Sequence, residues 1–176
     1  MDSDPTVFES KKFRIERREF DLDGAHHVYD IVVHPGAAVI LPVLPDGRLV
    51  LIQNYRVAVG RELLELPAGT LDAPESPETC AARELAEETG YRAAHVEPLV
   101  SFYSTPGILT ERMHVFLATG LTAGPPAREP GEQIRLAPTS HPAALQSIRD
   151  GRICDGKTIL ALLYYDRFVR GAEAQS

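Results

Sequence analysis

The sequence predicts an α+β fold, with strands before and after one central helix and two further helices closing the chain. Three observations carry this. Residues 13–20 and 26–33 alternate as strands do around Asp23-Gly24, helical spacing follows Ser76-Pro77, and residues 157–170 carry an apolar stripe of Leu160, Leu163 and Tyr164.

Taken in order, the first hairpin turns at Asp23-Gly24, a dipeptide suited to tight turns because both positions tolerate positive φ. Residues 37–44 and 48–53 repeat the arrangement around Asp46-Gly47, and residues 62–66 form a short strand leading into Pro67-Ala68-Gly69. The central helix starts at Pro77, since the Ser76 oxygen can take an orphan amide of the first turn and proline's fixed φ suits that position. It stops near Thr89, because Gly90 is the residue type that turns left-handed just past a helix end. Residues 92–102 and 111–119 read as strands divided by Ser104-Thr105-Pro106-Gly107. Gly124, Pro125, Pro126 and Pro130 exclude regular structure from residues 122–130, which should be a surface loop. Residues 142–150 and 157–170 have helical spacing on either side of Asp155-Gly156, and the polar tail 171–176 should fray.

A chain of 176 residues with 44% hydrophobic content can bury a core without disulfides. Cys80 and Cys154 form neither a disulfide framework nor a zinc pattern, and read as buried or inert thiols of a reducing compartment. The N-terminus MDSDPTVFES lacks a basic region followed by an apolar run, and no segment approaches the ~20 apolar residues needed to cross a bilayer. A cytoplasmic protein with no membrane partner is the expectation. The net charge of −7 argues against nucleic acid as a partner, since such binding depends on Lys and Arg neutralising phosphates. A small phosphorylated ligand stays compatible, because a bound metal and a few arginines invert the local field.

On the central helix Glu84 and Glu88 share a face, Glu87 lies one residue to the side, and Arg83 can reach Glu87 at i+4. At an effective dielectric of about 20, like charges about 6 Å apart repel by roughly 3 kcal/mol, which solvent or a bound cation must relieve. Hard oxygen donors favour Mg²⁺ or Mn²⁺. Alone, ExxEE also describes a plain solvated acidic face. The surroundings decide between the two: Gly69, Glu75, Arg83, Glu84, Glu87, Glu88 and Gly90 stand in the pattern G-x5-E-x7-R-E-U-x-E-E-x-G-U, where U is bulky and apolar. At ~7% average usage per residue type, seven coincident matches have a chance probability on the order of 10⁻⁸ per start position. Tyr91 is aromatic where the last position is more often aliphatic.

This pattern resembles the signature of the Nudix hydrolases, which use a divalent metal and an attacking water to cleave a nucleoside diphosphate linked to another moiety. The resemblance implies the Nudix fold, an α/β/α sandwich with a mixed sheet over residues 36–176, preceded by an antiparallel N-terminal hairpin over residues 1–35. It implies Glu84, Glu87, Glu88 and the Ala68 carbonyl as metal ligands, and structural roles for Gly69, Glu75, Arg83 and Gly90. Further segments are similar to the ADP-ribose pyrophosphatase branch: Gln53-Asn54-Tyr55-Arg56, Leu64-Glu65-Leu66-Pro67-Ala68-Gly69, Ser104-Thr105-Pro106-Gly107 with Thr110-Glu111, and the run from Gly151 to Thr158. In that branch the N-terminal sheet packs across a homodimer, so a homodimer built on residues 1–35 is implied.

The branch also implies substrate contacts at Arg56, Glu65, Pro106, Gly107 and Glu111. Arg56 offers a planar fork to a diphosphate oxygen, and competes with itself as an ion-pair partner of Glu62 or Glu65. Glu65 would orient Arg56 or touch a metal-bound water, and Glu111 a ribose hydroxyl or such a water. Attack on phosphorus needs a proton acceptor. Glu132 lies where the branch supplies one from a mobile loop, with Glu129 of the same loop and Glu87 of the helix as the other catalytic candidates. Arg135 departs from the branch, standing where a further acidic residue is common. Phe8, Phe13, Phe20, Tyr29 and Tyr103 read as core or interface filler before base-stacking groups.

The expected activity is hydrolysis of ADP-ribose or a related nucleoside diphosphate sugar to a nucleoside monophosphate and a sugar phosphate, with Mg²⁺ or Mn²⁺. Two alternatives stay open. A nucleoside triphosphate or dinucleoside polyphosphate pyrophosphohydrolase lacks the reason for the N-terminal hairpin and Pro106, and a non-catalytic nucleotide-sugar sensor tends to lose the signature glutamates kept here.

Overall fold

The computed structural model describes residues 5–127 and 133–171. Strands β1 (Thr6–Glu9), β2 (Arg14–Leu22) and β3 (Ala25–Val33) form an antiparallel N-terminal sheet in that spatial order. Asp23 and Gly24 both have positive φ, 53° and 76°, which gives the β2–β3 turn the twist a two-residue hairpin needs. Then follow β4 (Ala37–Pro42), β5 (Leu49–Arg56), β6 (Arg61–Glu65), β7 (Ala68–Thr70), helix α1 (Pro77–Glu84), β8 (Tyr91–Arg92), β9 (His95–Tyr103), β10 (Arg112–Thr119), β11 (Thr122–Ala123), β12 (Ile134–Thr139), α2 (His141–Arg149) and α3 (Gly156–Tyr164).

Strand β4 is buried along its whole length and shows why the fold is layered. Its side chains alternate between two cores: Val39 and Leu41 pack with Ala144 of α2 and Ala161 and Leu162 of α3, while Ala38 and Ile40 pack with Cys80 and Ala81 of α1. Helices cover both faces, so the strand reads as an unbroken apolar run rather than as an alternation. Around it the sheet order is β7-β4-β10-β9, with β4 and β10 parallel and the other pairs antiparallel. A second, antiparallel sheet of order β12-β5-β6 carries Arg56 and Glu65. The α/β/α arrangement with a mixed sheet is as expected.

Several elements differ from expectation. Strand β1 gives no sequence signal because three of its four residues are exposed and no face alternates. Strand β12, also unforeseen, lies at a sheet edge, where Pro138 is tolerated and an apolar face is not required. Two residues of the expected loop, Thr122 and Ala123, pair with β8 as β11. The strand expected over 92–102 is broken in two by Ala93-Ala94. α1 starts as expected, with Ser76 Oγ accepting from Thr79 N at 3.1 Å, but its last turn, Leu85–Thr89, widens to a π turn.

Cys80 is buried, whereas Cys154 is exposed, 3.2 Å from Arg61 Nη2, so only one of the two thiols is sequestered. The aromatic residues Phe8, Phe13, Phe20, Tyr29 and Tyr103 are not core filler: all are exposed in the single chain. Phe20 stacks on His27 and Tyr29, each at 5.5 Å. Among the described residues, no helix is long and apolar enough to cross a membrane.

Gly90 ends the π turn with φ 77°, and a Cβ there would lie 2.4 Å from the Gly124 carbonyl oxygen. Gly90→Ala therefore combines left-handed strain with a backbone collision, an effect of about 1–3 kcal/mol. Calorimetry should show a melting temperature several degrees lower; an unchanged one would mean the turn relaxes freely.

Candidate active site

The loop from β7 into α1 is held by one guanidinium. Arg83 forks onto Glu75, Nε to Oε1 and Nη2 to Oε2 at 2.9 Å each, and Nη1 donates to Glu84 Oε1 at 2.7 Å and Glu87 Oε2 at 3.1 Å. Nη2 also reaches the Thr70 carbonyl at 3.3 Å, which ties the helix to β7. The Arg83 hydrogen bonds hold the Glu75 carboxyl well below its ordinary range, at about 2, and Glu75 in return raises the guanidinium. The repulsion between Glu84 and Glu87 is thus relieved within the protein, by Arg83.

Gly69 is the counterpart of this arrangement. A Cβ at that position would lie 1.8 Å from Glu84 Oε1, so only glycine lets the Glu84 carboxylate lie against the β7 backbone. Glu88 is 3% exposed, and its Oε2 accepts from the Ala68 amide at 3.0 Å. Glu84, Glu87, Glu88 and Ala68 line one cavity of about 390 Å³, together with Arg56 and Asn54; Lys11 and Lys12 reach it from the N-terminal sheet. Among the described residues, no three His, Cys, Asp or Glu side chains are already gathered into a cation cage. The donor set nevertheless fits a hard divalent cation: three carboxylates face one cavity, one of them in a cradle that a Cβ would fill.

A second cavity, of about 610 Å³, meets the first along Ala68, Gly69, Thr70 and Arg56. Its walls are more apolar, with Phe102, Met113 and Leu160, and carry Tyr103, Glu111 and Lys157. Glu111 is 3.4 Å from His34 Nδ1, a nitrogen that also accepts from the Gly36 amide at 3.1 Å. Arg56 lies 2.8 Å from Glu65 Oε1, the ion pair foreseen as its competing role. It is no plain surface contact, because Glu65 is fully buried, and its other oxygen accepts from Lys157 Nζ at 2.9 Å. The other foreseen partner, Glu62, pairs with Arg135 at 2.6 Å. Asp155 is half-buried, and its desolvation would raise its pKa, yet the Lys157 charge and hydrogen bonds from Thr158 and Lys157 carry it below its ordinary value.

The structure therefore brings together Arg56, Ala68, Gly69, Arg83, Glu84, Glu87, Glu88 and Glu111 around two joined cavities. Pro106 and Gly107 are exposed in the turn between β9 and β10 and line neither. Glu129 and Glu132 lie outside the described residues. Sequence reasoning missed Lys157 as a site residue. It stands in the segment Asp155-Gly156-Lys157-Thr158, already similar to the family, but its partner Glu65 is 92 residues away and no local spacing connects them.

Residues 33–152 match the NUDIX domain, and the chain belongs to the Nudix hydrolase family. It is similar to the methanol dehydrogenase activator of Bacillus methanolicus, 33% identical over 90% of this chain and 87% of that one. It is 34% identical to the ADP-ribose pyrophosphatase of Bacillus subtilis, over the same shares of 90% and 87%. The GDP-mannose pyrophosphatase of Yersinia enterocolitica is 38% identical over 86% of this chain and 87% of that one. The crystal structure of an ADP compounds hydrolase superposes with a TM-score of 0.84, covering 95% and 91% of the two chains at 24% identity, and shares the fold.

The depressed Glu75 pKa carries a stability prediction. Its folded value, about 2, lies below the ordinary 4.5, so the ion pair's contribution is fully present above about pH 4.5 and is lost as pH falls toward 2. In denaturant melts at several pH values, Glu75→Gln should be less stable than wild type at pH 7, with the gap closing across that window. A gap that stays constant down to pH 2 would contradict the pairing.

Proposed function

We propose that this chain is a divalent-metal-dependent pyrophosphatase that splits ADP-ribose, or a closely related nucleoside diphosphate sugar, into a nucleoside monophosphate and a sugar phosphate. The observation that carries the reading is the meeting of a carboxylate-lined cavity and a larger, more apolar one at Arg56 and Gly69. A diphosphate flanked by two bulky groups suits such a seam. The names of the ADP-ribose and GDP-mannose pyrophosphatases above support the same substrate class.

Glu84, Glu87 and Glu88, with the Ala68 carbonyl, would hold Mg²⁺, and Mn²⁺ suits the same oxygens. When bound, the metal neutralises phosphate charge and lowers the pKa of water. Arg56 binds a diphosphate oxygen through its fork, and Glu111 binds a hydroxyl in the larger cavity. Arg83 keeps Glu84 and Glu87 aimed at the first cavity. Glu132 takes the proton from the attacking water as the phosphorus–oxygen bond of the anhydride breaks, with Glu129 and Glu87 as the alternatives.

Residues 1–35 form the dimerisation unit in this reading, and the exposed side chains of Phe20, Leu22 and Tyr29, which share one face of β2 and β3, are its contact surface. A cytoplasmic location belongs to the same reading. Light scattering at micromolar concentration should give the mass of two chains; a monomer there would count against the dimer.

The test is phosphate release, coupled to alkaline phosphatase, from ADP-ribose, ADP-glucose, GDP-mannose, UDP-glucose, diadenosine polyphosphates and dNTPs. The reading predicts activity on the nucleoside diphosphate sugars, with a loss of several orders of magnitude in a folded Glu88→Gln variant. Pyrophosphate release from dNTPs alone, or wild-type turnover in that variant, would sink it.

A further inference from the structure

Glu65 is fully buried, so its carboxylate needs a counter-charge at each oxygen to be tolerated. Each oxygen has one, but the two are held differently. Lys157 Nζ donates to Oε2 at 2.9 Å, with good geometry, and also to Asp155 Oδ2 at 2.9 Å. Arg56 Nη2 comes within 2.8 Å of Oε1 yet off the hydrogen-bonding direction, so Oε1 accepts no hydrogen bond among the described residues. Arg56 is thus held by charge, and its donors stay available to an occupant of the two cavities it lines.

Lys157, by contrast, stands on a rigid post. Asp155 caps α3, accepting from Thr158 N at 3.1 Å and Thr158 Oγ1 at 2.6 Å, and that hydroxyl accepts from the Leu66 amide at 2.9 Å. The post therefore joins the start of α3 to the end of β6, beside Glu65.

We propose that Lys157 is a positioning residue for the diphosphate site: by occupying Glu65 Oε2 it stops the carboxylate from capturing Arg56, and keeps the guanidinium at the seam of the two cavities. Without Lys157, both oxygens of Glu65 would face a single cation. A carboxylate in that state takes arginine as a bidentate pair, which draws the fork out of the seam. This inference rests on the reading of Arg56 as a diphosphate ligand.

A double-mutant cycle tests it on the full chain, using calorimetric affinity for the α,β-methylene analogue of ADP-ribose in magnesium buffer. Lys157→Met and Arg56→Ala should each weaken binding about tenfold, and the double variant by about the same factor, because Lys157 has nothing left to position. Lys157→Arg should restore affinity to within about threefold, since it returns the charge to Oε2. Lys157→Met leaves Glu65 under-compensated and can unfold the chain, so Lys157→Met/Glu65→Gln, which removes both charges, supplies the second variant. It should melt near wild type and bind more tightly than Lys157→Met, to within about threefold of wild type, because no carboxylate is left to capture Arg56; a loss as large as that of Lys157→Met would overturn the proposal. Losses that multiply to about a hundredfold in the Arg56/Lys157 double variant would mean that Lys157 touches the ligand directly, and would overturn the proposal. So would wild-type affinity in Lys157→Met. A wild-type chain that neither binds the analogue nor hydrolyses ADP-ribose would fail the reading of the site, and the positioning role with it.

Discussion

The guanidinium of Arg83 is the contact on which the candidate site depends. It forks onto Glu75, touches Glu84 and Glu87 from its other nitrogen, and reaches the Thr70 carbonyl. A lysine could carry the charge but not the planar set of donors that serves three carboxylates and a backbone oxygen at once. These contacts offset the repulsion between Glu84 and Glu87 within one helical turn, and both carboxylates line the same cavity. Gly69 completes the arrangement by leaving room for Glu84.

A second clip, on the far side of the sheet, works across distant parts of the chain. Asp155 and Thr158 at the start of α3 reach Leu66 at the end of β6, and Lys157 reaches Glu65. The segment from Glu65 to Gly69 is therefore fixed from both helical layers, by α3 at one end and by Glu84 and Glu88 at the other. This is why a three-residue strand, β7, can serve as the common wall of two cavities.

How much of this was legible in the sequence follows from the range of each interaction. The helix with its cap at Ser76, its stop at Gly90 and its glutamates was legible because all of it is local in sequence. The same holds for the β2–β3 turn at Asp23-Gly24. Strand β12 was not, since an edge strand needs no apolar face and Pro138 reads as a breaker. Neither was the extension of the foreseen Arg56–Glu65 pair to Lys157, which only the packing of α3 against β6 brings in. The exposure of Cys154 beside the buried Ile153 was not legible either, since no periodicity marks that difference in so short a connection.

The central claim is that the Glu84, Glu87 and Glu88 face takes up a divalent cation between α1 and β7. Titration of the chain with Mn²⁺, followed by electron paramagnetic resonance, tests this without any assumption about substrate. The account predicts saturable binding in simple proportion to the chain, lost or greatly weakened in a folded Glu84→Gln variant. No saturable uptake at millimolar Mn²⁺, or equal uptake by that variant, would contradict it.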